Sequence, residues 1–182
     1  MKLLVLALGL MLSSYQASPK ENLTTEMTNE KDILKAVQEN NIDAVEKALI
    51  SGAKVNTADK SKRSLLLIAT NGKNVEMAKL LVKYGADVNQ QADNLDSPFL
   101  YAGASGQIEL LKLFLANGAR FDVFNRYNGS ALIPACERGH VETVRLLANT
   151  KDFPINHINR LGWTGLMEAV VLGNGTKKLF KY

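Results

Sequence analysis

The chain is poor in the residue types that most chemistry requires. Its 182 residues include one cysteine and two histidines, so no internal disulfide can form and no paired spacing of soft metal ligands exists. Neither the phosphate-cradling pattern G-x-x-x-x-G-K-[ST] nor the nucleophile elbow G-x-S-x-G occurs. Lysine and arginine form no long block and the net charge is only +4, which leaves no phosphate-tracking surface. The longest apolar run, Leu3 to Leu12, has ten residues, well short of the roughly 20 that a membrane-spanning helix needs. An enzyme, a cofactor or metal site, a nucleic-acid partner and a spanning helix are therefore not expected.

What the sequence does have is a period. Ala36, Ala69, Ala102 and Ala135 are each 33 residues apart, and Ala169 follows after 34. Gly52-Ala53, Gly85-Ala86 and Gly118-Ala119 keep the same step, and a hydroxyl recurs at Ser64, Ser97, Ser130 and Thr164. A repeat of this length built from two short helical patterns is the signature of a stacked solenoid. At 46% hydrophobic and 22% charged residues, the chain has ample apolar material for a continuous core.

The unit is clearest from Ser97 to Ala119. The Ser97 side chain can accept from free N–H groups of a first helical turn, and Pro98 stands where a missing N–H costs nothing. Gly106 ends that helix. Ile108, Leu111, Leu113, Phe114 and Leu115 then face inward from a second helix, which Gly118 stops in the left-handed conformation that glycine adopts cheaply. Ala102 and Gly103 are small enough to allow close contact with the next unit, and the segment from Arg120 to Gly129 projects as a β-turn finger.

These residues give a family resemblance. Ser64-Leu65-Leu66-Leu67-Ile68-Ala69, Ser97-Pro98-Phe99-Leu100-Tyr101-Ala102, Ser130-Ala131-Leu132-Ile133-Pro134-Ala135 and Thr164-Gly165-Leu166-Met167-Glu168-Ala169 resemble the T-P-L-H-x-A pattern of ankyrin repeats over about residues 29–174. One departure is systematic: Leu67, Leu100, Ile133 and Met167 replace the family's histidine, exchanging a hydrogen-bond link between units for apolar packing. The resemblance implies an all-α ankyrin-repeat solenoid of helix-turn-helix units with β-turn fingers, about four and a half repeats long. Its units run over about 29–59, 60–92, 93–125 and 126–159, with an incomplete unit at 160–182 whose second helix is missing, as in a shortened form of a longer array. The apolar face of Val141, Val144 and Leu147 is then expected to lack its next helix.

Residues 1–17 read as a secretory signal, with basic Lys2, the apolar core and a small residue at Ala17, and they point to a bacterial periplasm or to secretion. Residues 18–28 are polar and read as a flexible leader. Removing the signal takes away only Lys2 among charged groups, leaving 21 basic against 18 acidic residues. Cys136 reads as a small buried side chain, His140 as a turn residue, and Pro134 as tolerated within a first helical turn. Asp43, Glu76, Glu109 and Glu142 recur at 33-residue steps and read as a solvent-facing ladder rather than as acids and bases.

The concave side of such a solenoid, formed by fingers and first helices, is where a partner is expected. The early fingers carry Lys60, Lys62 and Arg63, then Gln90, Gln91, Asn94 and Asp96. The later ones carry Phe124, Arg126, Tyr127, His157, Arg160 and Trp163, and they rank first because aromatic and arginine side chains supply a disproportionate share of interface energy. Packing of Trp163 within its own finger is the competing reading. The expected function is protein binding by a monomer in the cell envelope, without membrane insertion once the signal is removed. An accessory, chaperone-like or immunity-type factor for an exported enzyme or toxin is the alternative, and an enzyme with an unrecognised site is the one reading against which the sequence speaks. N-terminal sequencing of protein recovered from its host should find a start near Ser18, whereas an intact Met1 in cytosolic extract would end the export reading.

Overall fold

The computed structural model describes residues 30–171. The expectations of a secretion signal over 1–17, a flexible leader over 18–28 and an incomplete end to the fifth unit fall outside the described residues. Nine helices occur among the described residues: α1 (30–38), α2 (Ile42–Ile50), α3 (Leu65–Asn71), α4 (Val75–Lys83), α5 (Pro98–Ala104), α6 (Ile108–Leu115), α7 (Leu132–Glu137), α8 (Val141–Ala148) and α9 (Gly165–Val171). The first helices of successive units pack as α3 on α5, α5 on α7 and α7 on α9, while the second helices form a parallel row of α2, α4, α6 and α8. This is the expected all-helical repeat solenoid. Among the described residues the only β pairing is an isolated bridge from Ala58 to Ser64 at the base of a finger.

Each turn follows from its residues. Ser97 accepts from the Leu100 N–H at 3.2 Å with Pro98 opening α5, and Ser64 accepts from the Leu67 N–H at 3.1 Å. Gly106 and Gly118 sit at φ +70° and +84°, in the left-handed region where a Cβ is penalised. In the fourth unit Asp152 takes over that role at φ +61°, which is how the extra residue near Phe153 is absorbed.

The fourth unit departs from the pattern at its start. In units two, three and five the residue four beyond the hydroxyl closes the first helical bond: Ile68 N to Ser64 O, Tyr101 N to Ser97 O and Glu168 N to Thr164 O, at 2.9, 2.9 and 3.0 Å. Pro134 occupies that place in unit four. It has no N–H to donate, and its ring crowds the carbonyl four residues earlier. Helix α7 therefore opens at Leu132 with Ala131 as its cap, and the buried Ser130 hydroxyl is left without a partner.

The core is one continuous layer between the two rows of helices. Val45, Leu65, Leu81, Leu111, Phe114 and Leu147 are all fully buried, each worth about 1.5–3 kcal/mol relative to exposure. Leu147 is fully buried, while Val141 and Val144 on the same helix are half-buried. Leu67, Leu100 and Ile133 pack inside as expected of the histidine replacements, but Met167 does not, remaining 44% exposed. At the seam between first helices the repeating alanines are shielded, and a Cβ on Gly103 would lie 2.7 Å from the Ala131 Cβ.

Two outcomes follow for urea-denaturation midpoints. Gly103→Ala should destabilise the protein even though alanine is the better helix former by about 1 kcal/mol, because the added methyl has no room. Ser97→Ala should cost about 1 kcal/mol, whereas Ser130→Ala should change stability by less than about 0.5 kcal/mol.

Candidate partner-binding surface

Every finger is built on the same five-residue hairpin. The N–H of Asp59, Ala92, Asn125 and Asn159 donates to the carbonyl of Arg63, Asp96, Gly129 and Trp163, respectively, at 2.9–3.0 Å. The side chains of Asp59, Asn125 and Asn159 brace the loop from inside, each Oδ1 accepting from the N–H groups two and four residues ahead. Finger three has Ala92 there and is braced differently. Gln91 donates to the Leu95 carbonyl at 2.7 Å, and Asn94 both accepts from the Asp96 N–H and donates to its carboxylate.

Neighbouring fingers are tied to each other through backbone groups. Asp93 N donates to Ser61 O at 3.0 Å and Arg160 N to Tyr127 O at 2.9 Å, while Gln91 Nε2 donates to Phe124 O at 2.8 Å. Lys62 and Asp93 add an exposed ion pair at 2.9 Å. The side chains on the tips thus stand on a cross-linked backbone, so little conformational entropy remains to be lost when they are used.

The six residues ranked first fall in three settings. Arg126 and Tyr127 are exposed on finger four, with the guanidinium 4.7 Å above the phenol ring, a cation–π pairing. Phe124 and His157 are half-buried and stacked on each other at 4.0 Å and 3°, and His157 Nε2 lies 2.7 Å from the Asn128 carbonyl oxygen, a contact in which that nitrogen carries the proton. Arg160 is exposed at the tip of finger five, and Trp163 is half-buried at its base.

A groove of 340 Å³ opens between fingers and first helices of units three and four, and it brings together Asp96, Tyr101, Arg126, Tyr127, Glu137 and Arg138. Burial pushes the Asp96 carboxyl above its ordinary range, opposed by Arg126, the Asn94 amide and Arg138. Arg138 is oriented by donating to the Ala104 carbonyl at 2.6 Å. Tyr101, Glu137 and Arg138 were not among the residues picked from sequence. A signal was available for Tyr101, which aligns at the repeat period with Ile68, Pro134 and Glu168, a position that changes in every unit.

The groove offers aromatic faces and both signs of charge, a set suited to holding a polypeptide segment. The Cys136 thiol is buried and pushed up to about 11, first by desolvation and then by Glu168, so it stays protonated. Burial, with Arg138 beside it, lowers the His140 imidazole from its ordinary value, and the Gly106 backbone lies against that ring. No group of three or more potential metal ligands occurs among the described residues. On the far side, Lys79 Nζ bridges Glu76 at 2.8 Å and Glu109 at 3.3 Å, so these two members of the acidic ladder are exposed ion-pair residues.

Comparison with known proteins agrees with this architecture. The sequence profile for ankyrin repeats (three copies) matches residues 33–125 and 99–182. The ankyrin repeat protein YahD of Escherichia coli is 33% identical over 144 residues, covering 79% of this chain and 72% of that protein. Among solved structures, an ankyrin repeat domain (ABAYE2397) from Acinetobacter baumannii is 43% identical with a TM-score of 0.74, over 79% of this chain and 72% of that one. The ankyrin repeat protein EF0377 is 38% identical with a TM-score of 0.73, over 76% and 71% of the two chains. With the repeat period, the paired helices, the bridged fingers and these matches in agreement, the chain belongs to the ankyrin-repeat family.

Proposed function

We propose that this chain is an interaction module that binds one partner protein across its later fingers and the groove beneath them. The observation that carries the reading is the placement of Arg126 and Tyr127. Both are exposed, both line the groove, and both stand on a finger whose backbone is bonded to the next. Large side chains held in place lose little freedom on binding, which favours them as anchors. Ankyrin repeats generally mediate protein–protein interaction, and aromatic faces with both signs of charge in one groove suit a polypeptide ligand.

The partner is proposed to reside in the cell envelope, which rests on the basic residue, apolar core and small residue of the first 17 positions. No helix among the described residues is long and apolar enough to cross a membrane. Arg160 and Trp163 extend the proposed contact to finger five, while Phe124 and His157 support it from between the fingers.

Affinity capture from envelope extract tests the assignment. Tyr127→Ala and Trp163→Ala should each weaken capture of the same partner by about 2 kcal/mol or more, with far-ultraviolet circular dichroism unchanged. Lys60→Ala should matter less. Equal losses for all three variants would move the binding face.

A further inference from the structure

The arginines of this chain fall into two groups. Of the six, Arg63, Arg120 and Arg145 are paired with carboxylates of their own segments, Asp59 and Asp122 at 2.7 Å and Glu142 at 3.9 Å. Arg126, Arg138 and Arg160 are exposed and have no carboxylate in ion-pair contact among the described residues. These three lie together. Arg126 and Arg138 line the groove beneath the later fingers, and Arg160 stands beside it with its N–H on the Tyr127 carbonyl.

An unpaired arginine on a surface is ordinary, but here two of them are held in place around one point. The Arg126 guanidinium lies 4.7 Å over the Tyr127 ring, and Arg138 Nη1 donates to the Ala104 carbonyl at 2.6 Å. Both act on Asp96, opposing the burial that pushes its carboxyl up, yet neither comes close enough to form an ion pair with it. Asp96 Oδ2 accepts instead from Asn94 Nδ2 at 2.8 Å. A guanidinium carries five N–H donors, so most of those on Arg126 and Arg138 remain open.

Depth decides which charge an incoming chain meets first. Asp96 is half-buried, whereas the three arginines are exposed. Glu137 is the one exposed carboxylate in the groove lining, and its charge bears also on Glu168. Three positive groups against one negative favour an anion at the mouth of the groove, and a guanidinium fork matches a carboxylate in bidentate geometry. A basic side chain aimed at Asp96 has to pass between two like charges.

We propose that the groove takes an acidic stretch of the partner protein, whose aspartate or glutamate carboxylates are bridged by Arg126 and Arg138 and extend to Arg160. This inference rests on the reading of the groove as the partner site and gives that partner a chemistry. Tyr101 and Tyr127 supply ring faces for the methylene groups of the same segment.

The probes are fluorescein-labelled peptides of equal length, in which serine alternates with glutamate, with lysine or with glutamine. Fluorescence anisotropy with the full chain at physiological ionic strength should show saturable binding of the glutamate peptide alone. Arg126→Glu and Arg138→Glu should each lower its affinity by about tenfold or more, while Lys83→Glu, a matched charge change on the second-helix side, should leave it within about twofold. Asp96→Asn should tighten binding by about twofold or more, a gain that misfolding cannot produce. Preference for the lysine peptide, indifference to both arginine variants, or weaker binding by Asp96→Asn overturns the proposal. Absence of saturation with the glutamate peptide also overturns it. If Tyr127→Ala still weakens capture of the envelope partner in that case, the groove binds a chain of other chemistry; if it does not, the groove reading fails as well.

Discussion

The whole arrangement depends on how closely first helices approach one another. The repeating alanines at 69, 102, 135 and 169 are shielded to within 2% exposure, and Gly103 leaves less than a methyl group of space before Ala131. That approach fixes the spacing of the units, and the spacing brings each finger within hydrogen-bonding reach of the next. It also sets the second helices side by side, so that Leu81, Leu111 and Phe114 can close the core from the other face. A larger residue at the seam would be felt at both edges of the stack, because in a solenoid each unit is stabilised chiefly by its neighbours.

The binding reading rests on a separation between backbone and side chain in the fingers. Asx-type bracing by Asp59, Asn125 and Asn159 uses only main-chain donors and is indifferent to what the tip residues are. Lys60, Asp93, Arg126 and Arg160 therefore occupy one structural position with unlike chemistry. Finger three reaches the same hairpin by other means, through Gln91 and Asn94, and frees position 92 to be an alanine.

Much of this was legible in the sequence because it is periodic. The 33-residue step located the helix pairs, the glycine stops and the close contact at Gly103, and the family pattern supplied the stacking. What escaped was non-periodic. Whether Ser130 caps its helix depends on Pro134 four residues later, so the same hydroxyl has a different fate in unit four. The groove joins Asp96 and Tyr101 of one unit to Arg126, Glu137 and Arg138 of the next, and their meeting depends on the rotation between units, which no residue spacing encodes. The stacking of Phe124 on His157 likewise crosses the unit that carries the extra residue.

The two edges of the stack are held by different forces. Along the fingers the ties between units are mostly uncharged main-chain and amide hydrogen bonds, such as Asp93 to Ser61 and Arg160 to Tyr127. Along the second helices they include exposed ion pairs, with Lys79 reaching Glu109 and Lys83 reaching Glu46 at 3.4 Å. Dissolved salt screens the second kind far more than the first. Ionic strength consequently bears mainly on the second-helix margin, and at the fingers on the Lys62–Asp93 pair, so that added salt loosens the two margins unequally.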